Sequence, residues 1–195
     1  MKLQVFLLLA LVFPIEVCFA GIQGSKHDFS NSAWNPSGEV CVVCHTPHHA
    51  DSQYKPLWNH QSTTANFKLY SSPTLKRSPE QPRSASLQCL SCHDGTVAID
   101  SFGGNKGKTV IDQAHMIGVD LSNDHPVSIK WKHQTKQRLC FNCHDTELDL
   151  ISKIPFYDGY VECATCHDVH NGTNQPKLLR KTMSGSELCL YCHGN

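Results

Sequence analysis

The 195-residue sequence has no excess of either charge and few apolar residues with which to build a core. Its 17 Lys+Arg against 17 Asp+Glu argue against a nucleic-acid binder, which neutralises phosphates with a basic surface. Apolar residues make up 39% of the chain, but many of them lie in the first 20 positions or are cysteines. This leaves roughly 50 for the rest of the chain, which is few for a self-sufficient core. We therefore expect something other than side chains to fill the interior.

Residues 1–20 contain the longest apolar stretch of the chain. Lys2 precedes an apolar run over 5–15, and small residues near the end of the segment form a cleavage site, so the pattern predicts a secretory signal peptide removed after Ala20. The run is too short for a membrane anchor, which needs about 20 residues. Lipid modification of Cys18 is disfavoured, because Val17 stands where a small residue is expected. We expect a soluble mature chain without a membrane span, in the periplasm, secreted or at the cell surface.

Ten of the 11 cysteines form five CxxC pairs, and a histidine follows each pair directly. The motifs are Cys41-Val-Val-Cys44-His45, Cys89-Leu-Ser-Cys92-His93, Cys140-Phe-Asn-Cys143-His144, Cys163-Ala-Thr-Cys166-His167 and Cys189-Leu-Tyr-Cys192-His193. CxxCH is the covalent attachment signature of c-type haem. The two thiols form thioethers to the vinyl groups of one porphyrin, and the histidine binds its iron from the proximal side. We therefore predict five covalently bound haem c groups.

Disulfides and zinc sites are the competing interpretations of the same cysteines. An exported chain with an even number of cysteines favours disulfides, but a disulfide places no demand on the residue that follows it. Zinc sites built from CxxC pairs use two pairs for four ligands, and five pairs is an odd number. Haem also accounts for the scarce apolar residues, because flat apolar macrocycles packed on each other can replace a side-chain core.

Eight further histidines could supply a second axial ligand to each iron. Met116 or Met183 could ligate instead and raise a redox potential. His48 and His170 each lie three residues beyond a motif histidine, where the chain is still on the proximal side of its own haem. Each is therefore expected to reach a neighbouring iron, the alternative being a histidine that lines a haem edge.

Other candidate ligands are distinguished by their sequence neighbours. His27 and His60 each lie close to an aromatic residue suited to packing against haem. Pro126 restricts His125 to an extended backbone. The remaining three are weaker candidates, the first of them held in reserve: His115, His49 and His133.

The motifs are spread unevenly along the chain. Residues 21–130 form a looser part with two motifs, and 131–195 form a denser part with three. Segments 71–86 and 101–109 are rich in turn-forming residues and are predicted to be exposed loops. Short helices are expected to carry the motifs, the last of them opened by a capping box over 184–187. Thr96–Ile99 is the best strand candidate, so the predicted fold is mostly irregular and α, with little β, wrapped around a stack of five haems.

The phrases CVVCHTPHHA, PLWNHQ, LQCLSCHDGTVAID, DHPVS, VECATCHDVHN and ELCLYCH resemble multihaem c-type cytochromes of the doubled CXXCH motif family, over most of 25–193. The resemblance implies a periplasmic or surface electron carrier whose haems are largely bis-histidine. It supports five of the further histidines as distal ligands: His27, His48, His60, His125 and His170.

Electron transfer between redox partners, in anaerobic or extracellular respiration, is the leading functional hypothesis. It requires no open iron, because six-coordinate haems pass electrons from one to the next. We expect a carrier rather than an enzyme, with other cytochromes or redox proteins as partners. Two alternatives stay open: a reductase of a small oxyanion with one open haem, although no CxxCK occurs, and a homo-oligomeric filament subunit.

Overall fold

A computed structural model of the chain describes residues 21–131, 154–170 and 174–193. In these ranges regular structure is scarce. There are three helices, α1 (Ser84–His93), α2 (Cys163–Cys166) and α3 (Glu187–His193), and two short strands, β1 (Ile129–Lys130) and β2 (Tyr160–Val161), that pair antiparallel. Three 3₁₀ turns lie at Gln113–His115, Pro176–Leu178 and Ser184–Ser186. The prediction of a mostly irregular chain with few helices and little β is confirmed.

The longest helix, α1, is held by a small apolar core. It begins after the extended Arg83, whose carbonyl accepts the Leu87 amide at 2.8 Å. Its buried Leu90 packs with Phe67 and Leu121, which come from the loops on either side of the helix in the sequence. The chain turns away at Gly95, whose φ of +75° is readily adopted only without a Cβ. The helix thus fixes the second motif against the centre of the described structure.

Side chains that bond to the backbone replace the missing strand ladders. Asp94 lies at the end of α1, where its carboxylate accepts from the Thr63 hydroxyl and from the Thr96 amide, at 2.5 and 2.7 Å. The Ser91 hydroxyl accepts the Thr63 amide at 3.1 Å. These bonds join the loop over 61–66 to the helix without a sheet, because Thr63 finds partners for its amide and its hydroxyl on residues of the helix and its end.

The last third of the described chain packs on α1 through α2. Ser86 in α1 accepts the Cys163 amide at 3.0 Å, and its hydroxyl donates to the buried carboxylate of Glu162. The amide of Ser128 donates to Val161 at 2.7 Å, which places β2 beside the residues that precede β1. The second and fourth motifs are consequently neighbours.

Several local predictions are wrong. Thr96–Ile99 is a bend and not a strand, because Thr96 bonds to Asp94 and the Ile99 amide donates to Thr109 at 2.9 Å. The expected loop over 71–86 ends at Arg83, since α1 begins at Ser84.

Two expectations about the motif helices also need correction. The first motif is not a helix but a single turn, closed by the His45 amide on the Cys41 carbonyl at 2.8 Å. The capping box over 184–187 is absent, because the positive φ of Gly185 and Ser186 breaks the chain before α3 begins at Glu187.

Other predictions concern residues outside the described ranges. These are the signal peptide over 1–20, the third motif with Cys140, Cys143 and His144, and the weak candidate His133. The boundary at 130 between a looser and a denser part also stays a prediction. No helix within the described ranges is long and apolar enough to cross a bilayer.

The small apolar core around Leu90 predicts how much stability is lost when one of its side chains is truncated. Leu90→Ala should lower the free energy of unfolding by about 2–5 kcal/mol, because the cavity at this fully buried site is closed in by Phe67 and Leu121. Val110→Ala, at a site 64% exposed, is the control and should change it by no more than about 0.5 kcal/mol. Urea titration of the two purified variants measures both values. Equal effects would contradict this account of the core.

Candidate functional site

Four of the five motifs lie in the described ranges, and each is a helical turn. The second, fourth and fifth are carried by α1, α2 and α3, and the first by the turn at Cys41. Residues three apart lie on one side of a helical turn, so both cysteines of a motif can reach one partner. The His167 amide donates to the Cys163 carbonyl at 3.0 Å, which repeats the closure seen in the first motif. None of the eight described motif cysteines is joined to another by a disulfide.

The buried motif thiols stay neutral. Burial raises the pKa of Cys44 to about 11 and that of Cys92 to about 12. The interaction between the neighbouring thiols of Cys89 and Cys163 raises the pKa of Cys89 well above its ordinary value and lowers that of Cys163. Thioether formation removes the thiol proton altogether and requires no thiolate in the finished protein.

Backbone carbonyls orient three of the motif histidines. The Nδ1 of His45 donates to the Pro56 carbonyl at 2.8 Å, that of His93 to His115 at 2.8 Å, and that of His167 to Lys177 at 2.9 Å. Because a carbonyl can only accept, Nδ1 carries the proton and Nε2 keeps its lone pair. This is the arrangement that fixes the tautomer and the ring orientation of a metal-binding histidine.

Three motif histidines each face a second imidazole. The ring centroids of His93 and His27 are 5.9 Å apart. Those of His45 and His170 are 6.2 Å apart and nearly parallel, and those of His193 and His125 are 6.3 Å apart. In each pair, one ring belongs to a CxxCH motif and the other to a residue far away in the sequence.

These separations suit one iron between each pair of rings. Two imidazoles that bind one metal through nitrogens, with bonds of about 2.0 Å, have centroids about 6 Å apart. Within the described ranges no group of three or more His, Cys, Asp or Glu is placed to hold a metal ion. A pair of histidines for each metal ion fits an iron whose other four ligands are porphyrin nitrogens. The donor set therefore fits haem c, the group that the motifs imply.

His27 is held in the neutral form that a metal ligand needs. Burial, together with the nearby His93 and His167, lowers its pKa from 6.5 to about 4. Its Nδ1 is buried and has no hydrogen-bond partner among the described residues. Neutral imidazole is the form that binds a metal. This environment separates His27 from an ordinary surface histidine.

The other two candidate distal ligands lie in contrasting places. His60 is buried, its Nδ1 donates to the Gln61 carbonyl at 2.8 Å, and its Nε2 lies 3.5 Å from the Cys92 sulfur. Burial lowers its pKa as well. His48 is exposed in the loop beyond the first motif, where the Thr46 hydroxyl donates to its carbonyl at 2.8 Å. Neither ring is stacked against a described motif histidine, so both stay predictions.

Sequence reasoning missed the carbonyls that orient the motif histidines. His115 was held in reserve as a ligand, but its backbone carbonyl accepts from His93 and its ring lies 3.8 Å from the Asp112 carboxylate. Pro56 and Lys177 have the same backbone role. Because every residue has a carbonyl, the sequence offers no signal for this role.

The fourth motif lies next to the second, and the residues that follow it reach the first motif and the segment before the fifth. The Cys163 amide donates to Ser86 of α1, and the ring of His170, three residues after His167, faces that of His45 of the first motif. The Arg180 amide, in the segment that leads to α3, donates to the Cys166 carbonyl at 2.9 Å. Groups attached at these motifs would consequently lie close together, with the fourth in the middle.

Residues 155–195 match the family described as the doubled CXXCH motif. The matched range contains the fourth and fifth motifs, and the match supports the resemblance to multihaem c-type cytochromes. It implies covalently bound haem c and, in general terms, electron transfer. No curated protein matches the chain.

A motif without its thiols should lose its haem. We expect the double variant Cys163→Ser with Cys166→Ser to carry one covalent haem fewer than the native protein, because attachment needs both thioethers. Mass spectrometry of the intact denatured protein counts the haems. Ser184→Ala, at an exposed position outside the motifs, is the control and should leave the count unchanged. An unchanged count in the double variant would contradict the haem assignment.

Proposed function

We propose that the mature chain is an exported pentahaem c-type cytochrome that transfers electrons between redox partners in anaerobic or extracellular respiration. The observation that carries the proposal is the placement of His27, His170 and His125 opposite the histidines of three different motifs. Bound haem iron supplies one-electron exchange between the ferric and ferrous states. The redox partners are other cytochromes or redox proteins.

The chain's histidines have two tasks in this proposal. The motif histidine and its facing histidine fill both axial positions of one iron, which leaves no position for a substrate. Where the Nδ1 of a ligand histidine donates to a backbone carbonyl, the bond holds the ring in one orientation. The geometry of the histidine ligands therefore changes little when an electron arrives or leaves. Ligation by two histidines, without a methionine, keeps the potentials low.

The contacts of the fourth motif support a path between the attached groups. Because this motif lies beside the second, and the residues after it reach the first motif and the segment before the fifth, electrons can pass through it between both parts of the chain. His48 and His60 are proposed as distal ligands of the two remaining irons. Of the two, His60 has the features of a metal-binding histidine, because it is buried and its Nδ1 donates to the Gln61 carbonyl.

One observation favours the reductase alternative. Among the described residues, no second imidazole faces His167 across an iron-sized gap, although its Nδ1 is bonded like those of the other motif histidines. An open sixth position there would bind a small oxyanion such as nitrite. A filament subunit that receives this ligand from another copy is the third possibility.

Loss of a distal histidine should open one iron. We expect His125→Ala to keep five haems and to gain one high-spin haem that binds carbon monoxide, since attachment uses the thiols alone. Low-temperature electron paramagnetic resonance and carbon monoxide difference spectra measure both changes. His49→Ala, at a weaker candidate next to His48 that is outside the proposed ligand set, is the matched control and should stay fully low-spin. A fully low-spin His125→Ala protein would remove His125 from the ligand set.

The native protein should carry five haems and exchange electrons without turning over small oxyanions. Intact mass should show five covalent haems on a chain that begins at Gly21. Stopped-flow reduction should be rapid, with no sustained reduction of nitrite, hydroxylamine or sulfite. Turnover of any of these at roughly 1 s⁻¹ or more would instead establish the reductase alternative.

A further inference from the structure

A buried carboxylate lies where the second and fourth motifs meet. Glu162 is 1% exposed and directly precedes Cys163. One of its oxygens accepts from the Ser86 hydroxyl and from the Ser128 hydroxyl, the latter at 3.0 Å. Its other oxygen lies 3.2 Å from the Ser128 hydroxyl. Two neutral hydroxyls thus hold a group that is normally charged.

The carboxylate is joined directly to both motifs. Ser86 belongs to α1, which carries the second motif, and its hydroxyl oxygen also accepts the Cys163 amide at 3.0 Å. Cys163 of α2 also lies close enough to Cys89 of α1 for the two thiols to shift each other's pKa. A charge on Glu162 therefore acts at close range on whatever is attached to either helix.

No cation in the described ranges forms an ion pair with Glu162. Arg83, the residue directly before α1, is paired with Glu80 at 3.0 Å and is exposed. Burial raises the pKa of Glu162, and Asp158 adds to this, while the bonds from the two serines and the charge of Arg83 lower it. Buried carboxylates are stable as anions only with compensating charge, so this one is poised to take up a proton.

We propose that Glu162 is a proton-binding site linked to reduction of the haems at the second and fourth motifs. When an external redox partner gives one electron to a ferric haem there, the iron becomes ferrous and a proton from solvent binds to the Glu162 carboxylate. Oxidation releases both again. The inference rests on the proposed function, because it requires haem at these two motifs.

The coupling follows from elementary electrostatics. A ferric haem centre has one more positive charge than a ferrous one and so stabilises a nearby carboxylate. Reduction removes that charge, and in a buried site of low dielectric the loss acts more strongly than it would in water. The pKa of Glu162 is therefore higher in the reduced protein, and by the same linkage a proton on Glu162 raises the haem potential.

Potentiometry as a function of pH tests the proposal. In the native protein the affected potentials should fall by up to about 59 mV per pH unit, the value for one proton per electron, at pH values above the ordinary range of a glutamate. Glu162→Gln keeps the size and the hydrogen-bonding capacity of the side chain and should abolish this slope for those haems. Glu187→Gln is the matched control: Glu187 precedes Cys189 by two residues but is exposed and paired with Lys181 at 3.0 Å. It should leave the slope unchanged.

A second variant separates proton binding from a purely structural role. Ser128→Ala removes a donor to the ionised carboxylate and should therefore raise the pKa of Glu162. The pH range in which the haem potentials vary with pH should move upwards, with all haems retained. This variant decides the question if Glu162→Gln fails to fold.

The haem count by intact mass separates the two proposals. Missing haem at the second or fourth motif of the native protein would refute the proposed function. The inference about Glu162 alone would be overturned if all haems are present but the potentials of Glu162→Gln still vary with pH as in the native protein. It would also be overturned if Ser128→Ala leaves unchanged the pH range in which the potentials vary.

Discussion

An imidazole offers a lone pair at Nε2 only while its Nδ1 keeps the proton, and backbone carbonyls hold that proton in place here. His45, His93 and His167 each donate through Nδ1 to a carbonyl, and so do His60 and His125 among the candidate distal ligands. The segments that supply these carbonyls must therefore run beside the motifs. Much of the irregular course of the chain is explained by this requirement.

The scarcity of helices and strands is consistent with that constraint. A regular helix or ladder uses its carbonyls internally, whereas a loop leaves some of them free for histidine side chains. The loops are in turn fixed by side chains such as Asp94 and Asn59, the latter donating to the Val42 carbonyl at 2.5 Å. The small apolar core around Leu90 supports one motif helix, and haem is proposed to fill the rest of the interior.

Local features of the chain were predicted with mixed success. Helices through the second, fourth and fifth motifs were expected and are present, because the spacing of a CxxCH motif matches one helical turn. The predicted strand at Thr96 and the predicted capping box at Ser184 are wrong. In the first case the Asp94 carboxylate binds the Thr96 amide, and in the second the positive φ at Ser186 breaks the chain before α3. Both errors arise where a side chain or an unusual backbone angle overrides the sequence pattern.

The sequence by itself determined the chemistry of attachment, because two cysteines three apart and the adjacent histidine form a unit that needs no distant residue. It also narrowed the distal ligands to a few histidines, but it could not assign them to irons. Only the tertiary structure placed His27 opposite His93, His170 opposite His45 and His125 opposite His193, since each pair joins segments far apart in the chain. The burial of Glu162 between two motif helices was likewise decided by packing: a glutamate before a cysteine is exposed or buried according to what lies against it.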